Sequence, residues 1–156
     1  MTLRASLFAA PLLVLAPPIF AQETPAAVAR LDHVAIWVTD QQKSIDFYRE
    51  MFGLAEIPAP FPPGGPRWMQ LANGVELHIQ PGRDAPVAQP RRVHMAIAVA
   101  SLDPILEKLK ARGQSWSDVA GKPGVIQTMR TDGIRQIFLQ DPDGYWIEVN
   151  DALKKR

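Results

Sequence analysis

Three histidines are the only ones in the 156-residue chain, and their spacing suggests metal chemistry. His33 opens His33-Val34-Ala35-Ile36-Trp37-Val38, and His94 opens His94-Met95-Ala96-Ile97-Ala98-Val99, so both segments read His-x-Ala-Ile-x-Val. His78 follows Gly74 by four residues, and Glu148 follows Gly144 by four. Two copies of one unit thus place a His on their first strand and a His or Glu on their last. If the units face each other, His33, His78, His94 and Glu148 form a nitrogen and oxygen donor set. With a divalent ion its net charge is about +1, which suits Zn²⁺, Ni²⁺, Fe²⁺ or Mn²⁺ better than Ca²⁺ or Mg²⁺. Open coordination positions would remain for water or substrate. The competing reading takes each histidine as a hydrogen-bonded core residue and Glu148 as a solvated strand position. The repeat argues against four such coincidences.

Other residues fall near this set. Glu76 is two residues from His78 on the same strand, so the two carry side chains to one face about 6.5–7 Å apart. His78 is favoured as the ligand because it and Glu148 share their offset from a turn glycine. Glu76 is the alternative ligand, and Glu148 and Glu76 are the candidate proton carriers. Arg67 and Arg135 occupy equivalent places, each two residues before the strand partner of a candidate ligand. Pointing inward, they could clamp a carboxylate or phosphate; pointing outward, they are solvated strand starts. By strand parity Trp37 and Trp146 face inward as an apolar lining for substrate. Trp68 falls on the other face, with the core.

The elements that must position these residues follow from periodicity. Leu31–Val38 alternates as a strand, with His33, Ala35 and Trp37 on one face and Val34, Ile36 and Val38 on the other. Thr39 or Asp40 caps a helix with Ile45, Tyr48, Met51 and Phe52 as its apolar stripe, ended by Gly53. The proline-rich stretch 58–66 is a loop. Asn73-Gly74 between two apolar runs predicts a two-residue hairpin turn that pairs Leu71 with Glu76 and Met69 with His78. Arg67 then shares their face. The stretch 81–92 is a linker. A second helix follows Ser101, with Leu102, Ile105, Leu106 and Leu109 apolar and Gly113 as its stop. Asp141-Pro142-Asp143-Gly144 is a turn between the last two strands. It sets Glu148, Trp146 and Asn150 on one face opposite Arg135, Ile137 and Leu139. Each unit reads βαβββ, with its second strand near 54–58 or 114–118. The fold class is α+β: two modules, about 31–80 and 93–150, build a curved mixed sheet around a metal-binding cleft, with helices on the outer face.

Composition bounds the function. Arg4 and the apolar, proline-broken residues 5–20 read as a secretory signal, cleaved after Ile19-Phe20-Ala21. A flexible leader, 22–30, precedes one domain over 31–150 and a tail at 151–156. The expected location is periplasmic or secreted, with no membrane anchor after cleavage. The chain has 17 basic and 16 acidic side chains, so without Arg4 the counts are equal. No basic stripe points to nucleic acid. Cysteine is absent, which removes disulfides and thiolate ligands.

These residues resemble a known family. Leu31-Asp32-His33-Val34-Ala35-Ile36 leading to Ser44-Ile45-Asp46-Phe47-Tyr48, together with Asp141-Pro142-Asp143-Gly144-Tyr145-Trp146-Ile147-Glu148, is similar to the vicinal oxygen chelate superfamily. That group holds glyoxalase I, extradiol dioxygenases, methylmalonyl-CoA epimerase, and fosfomycin and bleomycin resistance proteins. The resemblance covers roughly 31–150. It implies a divalent metal at His33, His94 and Glu148, with His78 or Glu76 as fourth ligand. It also implies a small substrate that chelates the metal through vicinal oxygens. The leading expectation is an exported glyoxalase-like isomerase, lyase or epimerase. The alternatives are an Fe²⁺ ring-cleavage dioxygenase and a non-catalytic ligand-sequestering protein. The linker permits pairing of the modules within one chain or exchange between the two chains of a homodimer.

Overall fold

A computed structural model describes residues 29–155. The segment 1–21 expected to be a secretory signal, and most of the expected 22–30 leader, lie outside the described residues.

The first module starts with β1 (His33–Trp37), whose Ile36 is buried and whose Val34 packs on the core. Asp40 caps α1 (Gln41–Phe52), its side chain accepting from the Lys43 amide, and Gly53 ends the helix. Ile45, Phe47, Tyr48 and Met51 of α1 are buried. The strands β2 (Ala55–Ile57), β3 (Arg67–Gln70) and β4 (Glu76–Gln80) follow. They form a four-stranded sheet in the order β1-β4-β3-β2, with β1 and β4 parallel.

The second module repeats this plan with β5 (His94–Ala98), α2 (Asp103–Ala111), β6 (Gln136–Gln140) and β7 (Trp146–Asn150). Its sheet is three-stranded, β5-β7-β6, with β5 and β7 parallel. Ser101 receives the Asp103 amide, and Ile105, Leu106 and Leu109 are buried. The segment near 114–118 makes only isolated bridges, from Ser117 to Phe138 and to Pro123. The Gly121–Gly124 turn folds this segment back on itself, through Gly124 N–H to Trp116 O and Asp118 N–H to Lys122 O, before a strand can extend. One core joins both modules. It holds Ile36, Met69, Leu77 and Ile79 from the first, and Ile97, Ile137, Ile147 and Val149 from the second.

The first hairpin corrects the sequence reading. Leu71 N–H bonds Val75 O, so the loop encloses three residues, with Asn73 at φ 60° and Gly74 at φ 73°. A three-residue loop ending in left-handed positions shifts the register by one residue relative to a two-residue turn. Gln70 therefore faces Glu76, and Trp68 faces His78. Trp68 thus lies beside the candidate ligand, while Met69 and Arg67 pair with Leu77 and Ile79 on the core side. The last hairpin shifts in the same way. Asp141 N–H bonds Tyr145 O around three residues, and Glu148 faces Phe138 rather than Ile137 or Leu139, both of which are core.

Candidate functional site

Because both loops enclose three residues, the two modules share one register. His33 pairs with Glu76 and Ala35 with His78; His94 pairs with Trp146 and Ala96 with Glu148. His78 is therefore the positional equivalent of Glu148, Glu76 of Trp146, and Trp68 of Phe138. Each sheet carries half of the candidate constellation on the face away from the core.

In the second module the half-site is set for a cation. His94 Nδ1 lies 2.9 Å from the Arg91 carbonyl oxygen, which can only accept, so Nδ1 carries the proton. The lone pair of a neutral ring then sits at Nε2, 3.4 Å from Glu148 Oε2. Two facing lone pairs repel unless a proton or a cation lies between them. Two ligands of a tetrahedral ion at about 2.0–2.2 Å are themselves separated by about 3.4 Å, so the spacing matches a shared ion. Asn150 Nδ2 holds the other Glu148 oxygen at 2.8 Å, and Phe138 meets the His94 ring edge to face at 5.1 Å. Such outer contacts fix ligand orientation.

The first module differs. His33 Nδ1 lies 3.0 Å from Asp32 Oδ2, which again leaves Nε2 as the unprotonated nitrogen, and its side chain is 44% exposed. His78 Nε2, however, is 2.8 Å from Glu76 Oε2 and donates to that carboxylate. The His78 ring is stacked between His33 (4.1 Å, 9°) and Trp68 (4.2 Å, 4°). In-plane lone pairs of parallel rings do not meet at a point, so His33 and His78 cannot bind one ion in this arrangement. Among the described residues, no group of three or more His, Asp or Glu side chains lies close enough to hold a metal ion. The donors of one chain form two half-sites rather than one centre.

The two arginines are elsewhere. The register shift turns Arg67 to the core side, where it forms a two-pronged pair with Glu56 (2.6 and 2.7 Å) and bonds Gln42. Arg135 is tied to Asp151 by its backbone N–H (2.8 Å) and its Nε (2.9 Å). Burial alone would raise the Asp151 pKa, but the Lys154 and Arg135 donors hold it far below the usual carboxylate range. Neither arginine is placed to clamp a ligand beside the histidines. Trp37 is 49% exposed, with Nε1 bonded to Pro81 O. Trp146 bonds Gln89 O, and the Arg91 guanidinium lies over its ring at 4.1 Å.

The Asp141–Gly144 turn anchors β7 to the first module. Ser44 and the Thr39 amide both reach Asp143, and Tyr145 Oη accepts from Trp37 N–H and donates to Trp37 O. The sequence marks this motif as a turn and as part of the family resemblance, but gives no sign of its contacts with the first module. No repeat marks Arg91, whose carbonyl orients His94; the cue for Asp32 is its place beside His33.

Residues 30–149 match the Glyoxalase/Bleomycin resistance protein/Dioxygenase superfamily. The virulence protein STM3117 of Salmonella typhimurium is 26% identical over 127 residues, covering 81% of this chain and 86% of that protein. Among solved structures, Oxidase ChaP-H1 is 30% identical with a TM-score of 0.62, over 79% of this chain and 95% of that one. Oxidase ChaP-H2 is 26% identical with a TM-score of 0.66, over 80% and 94%. The fosfomycin resistance protein FosX of Listeria monocytogenes shares the fold, with 20% identity and a TM-score of 0.59 over 80% and 93%.

Proposed function

The chain belongs to the Glyoxalase/Bleomycin resistance protein/Dioxygenase superfamily, and on that basis we propose that it is an exported, divalent-metal-dependent enzyme of the glyoxalase type. Its substrate is a small molecule with two adjacent oxygens. The observation that carries this reading is the His94–Glu148 pair, two oriented donors 3.4 Å apart with the imidazole lone pair turned toward the carboxylate. Members of this superfamily commonly use such an ion.

Among the described residues the donors form half-sites, and in this reading a second copy completes the set. His33 of one chain would join His94 and Glu148 of the other, with His78 or Glu76 as fourth donor. A bound divalent ion would supply Lewis-acid polarisation of the substrate oxygens. The chain's own groups orient and carry protons: Asn150 fixes Glu148, the Arg91 carbonyl fixes the His94 tautomer, and where His78 is the fourth donor, Glu76, bonded through Oε2 to His78, is the proton carrier. The N-terminal segment directs the protein to the periplasm or medium, which fractionation of expressing cells tests.

Elemental analysis of purified protein tests the metal, with stoichiometric metal expected in the wild type and little in His33→Ala or His94→Ala. Mixing the two variants tests the sharing, because each mixed dimer regenerates one intact site of two; with half of the dimers mixed after random exchange, metal returns to about one quarter of the wild-type level. Metal-free wild-type protein would favour the non-catalytic ligand-binding reading. A second enzymatic reading, iron-dependent oxidation, is favoured by the similarity to the ChaP oxidases. Bound iron with oxygen uptake on catechols would select it.

A further inference from the structure

Three of the four buried side-chain donors that lack a hydrogen-bond partner among the described residues line one cavity: Arg91 Nε, Trp116 Nε1 and Ser117 Oγ. The cavity measures about 350 Å³, within the range that admits a small ligand. It lies on the face of the second sheet that carries the half-site. Trp146, the strand partner of His94, and Phe138, the strand partner of Glu148, both line it.

The donors are held in place by the fold. The Ser117 backbone exchanges hydrogen bonds with Phe138 (2.9 and 2.8 Å), and the Ser117 residue is 7% exposed. The Arg91 guanidinium carbon lies 4.1 Å from the centroid of the Trp146 ring, and its buried Nε has no acceptor among the described residues. A side chain at Gly121 would meet Arg91 Nη1 at 2.9 Å, so the glycine makes room for the guanidinium. The adjacent acid, Asp118, is turned to the Lys122 amide. Arg91 and Trp116 are half-buried and Ser117 is buried, and the three buried donor atoms Arg91 Nε, Trp116 Nε1 and Ser117 Oγ, without acceptors among the described residues, are complementary to an oxyanion. The rings of Trp116, Phe138 and Trp146 add flat apolar walls.

We infer that this cavity binds an aromatic carboxylic acid. The carboxylate is taken by Arg91 with Ser117 and Trp116, and the ring lies along Phe138 toward His94 and Glu148. Anion capture stands on this geometry alone. That the captured acid is the substrate rests on the function proposed above, and the Arg91 carbonyl that fixes His94 joins the two sites through the backbone of one residue.

The test uses the full protein, stripped of metal with EDTA and in parallel metal-loaded, titrated with sodium benzoate, benzamide and sodium phosphate. Tryptophan fluorescence and calorimetry report binding, since Trp116 and Trp146 line the cavity. Benzoate is expected to bind in both preparations, with benzamide at least tenfold weaker. Arg91→Gln should weaken benzoate about 10–100-fold, Arg91→Lys less, and Ser117→Ala a few-fold, with thermal melts showing that each variant folds. Unchanged benzoate affinity in folded Arg91→Gln, equal binding of benzamide, or binding of phosphate in place of benzoate overturns the inference. Metal content is read separately. Its loss in the wild type removes the proposed reaction and leaves the acid site standing, whereas benzoate failure with stoichiometric metal does the reverse.

Discussion

Tyr48, on the first helix, donates its hydroxyl hydrogen to Oδ2 of Asp141, in the turn before the last strand, across 2.9 Å. Both groups are buried, and the contact joins the two modules at the segment that delivers Trp146 and Glu148. Burial lifts the Asp141 pKa to about 6, although the Tyr145 and Asp143 amides and the Tyr48 hydroxyl oppose the rise. Burial, with the neighbouring Asp141 carboxylate, likewise pushes the Tyr48 phenol well above its usual value.

The first prediction concerns pH. The folded pKa of Asp141 exceeds its unfolded value, so the folded state binds the proton more tightly. The associated stability is present in full below the unfolded pKa of 3.8 and is lost as pH rises through about 6. The difference corresponds to roughly 3 kcal/mol in order of magnitude. Asp151 acts in the opposite sense, but its contribution is lost only as pH falls below the ordinary carboxylate range. Asp141→Asn keeps an acceptor for the two amides, and the Tyr48 hydroxyl can turn to accept from the new NH₂. Melting temperatures from pH 4 to 8 should therefore fall with pH in the wild type and stay nearly flat in the variant. Parallel curves would show that Asp141 is not the group responsible.

Much of this arrangement was legible in the sequence because it rests on periodicity. The His-x-Ala-Ile-x-Val repeat, the core faces of β1 and α1, and the βαβββ order of the first module follow from spacing alone. Register was not legible. An Asn-Gly pair permits two- and three-residue loops, and only the closed loop decides between them. That single residue moved Trp68 beside His78 and turned Arg67 to the core side. The fourth strand of the second sheet failed for a similar reason, since the turn at 121–124 consumes the backbone groups that a strand would need. Whether one chain completes the donor set depends on how the modules pack, and strand patterns say nothing of that.

Arg67 provides the second prediction. Its guanidinium is spent on Glu56 and Gln42, away from the histidines. Arg67→Met should lower stability by about 1 kcal/mol or less, as for a partly exposed ion pair. Ligand affinity and metal content should be unchanged. A tenfold loss of affinity without a change in melting temperature would return Arg67 to the binding site.

The third prediction compares two turn glycines. A methyl group at Gly144 (φ +88°) would sit 2.5 Å from the Val87 carbonyl oxygen, in the linker whose own N–H bonds Asp143 O. At Gly74 (φ +73°) the same methyl group meets nothing within 4 Å. Gly74→Ala should cost only the left-handed backbone penalty of about 1–2 kcal/mol. Gly144→Ala must also displace the linker and should cost more than about 3 kcal/mol in denaturant titration. Equal costs would mean that the linker yields freely.

The last prediction separates His78 from Glu76 as the fourth donor. By register His78 stands where Glu148 stands in the other module, but its Nε2 is tied to Glu76 and its ring is clamped between His33 and Trp68. If His78 is the ligand, the stack must open when metal binds and the Glu76 bond becomes the outer support of the ring. His78→Ala then removes a ligand, while Glu76→Gln removes only that support and costs about 10–100-fold in affinity. If Glu76 is the ligand, the order of the losses reverses and the ring stack survives metal binding. Trp68 reports which occurs, since its indole lies 4.2 Å from the His78 ring. Cobalt titration, with affinity read from visible absorption and the stack from Trp68 fluorescence in a Trp37, Trp116 and Trp146 to Phe background, gives both quantities in one experiment. The register predicts the larger loss for His78→Ala, accompanied by a change in Trp68 emission.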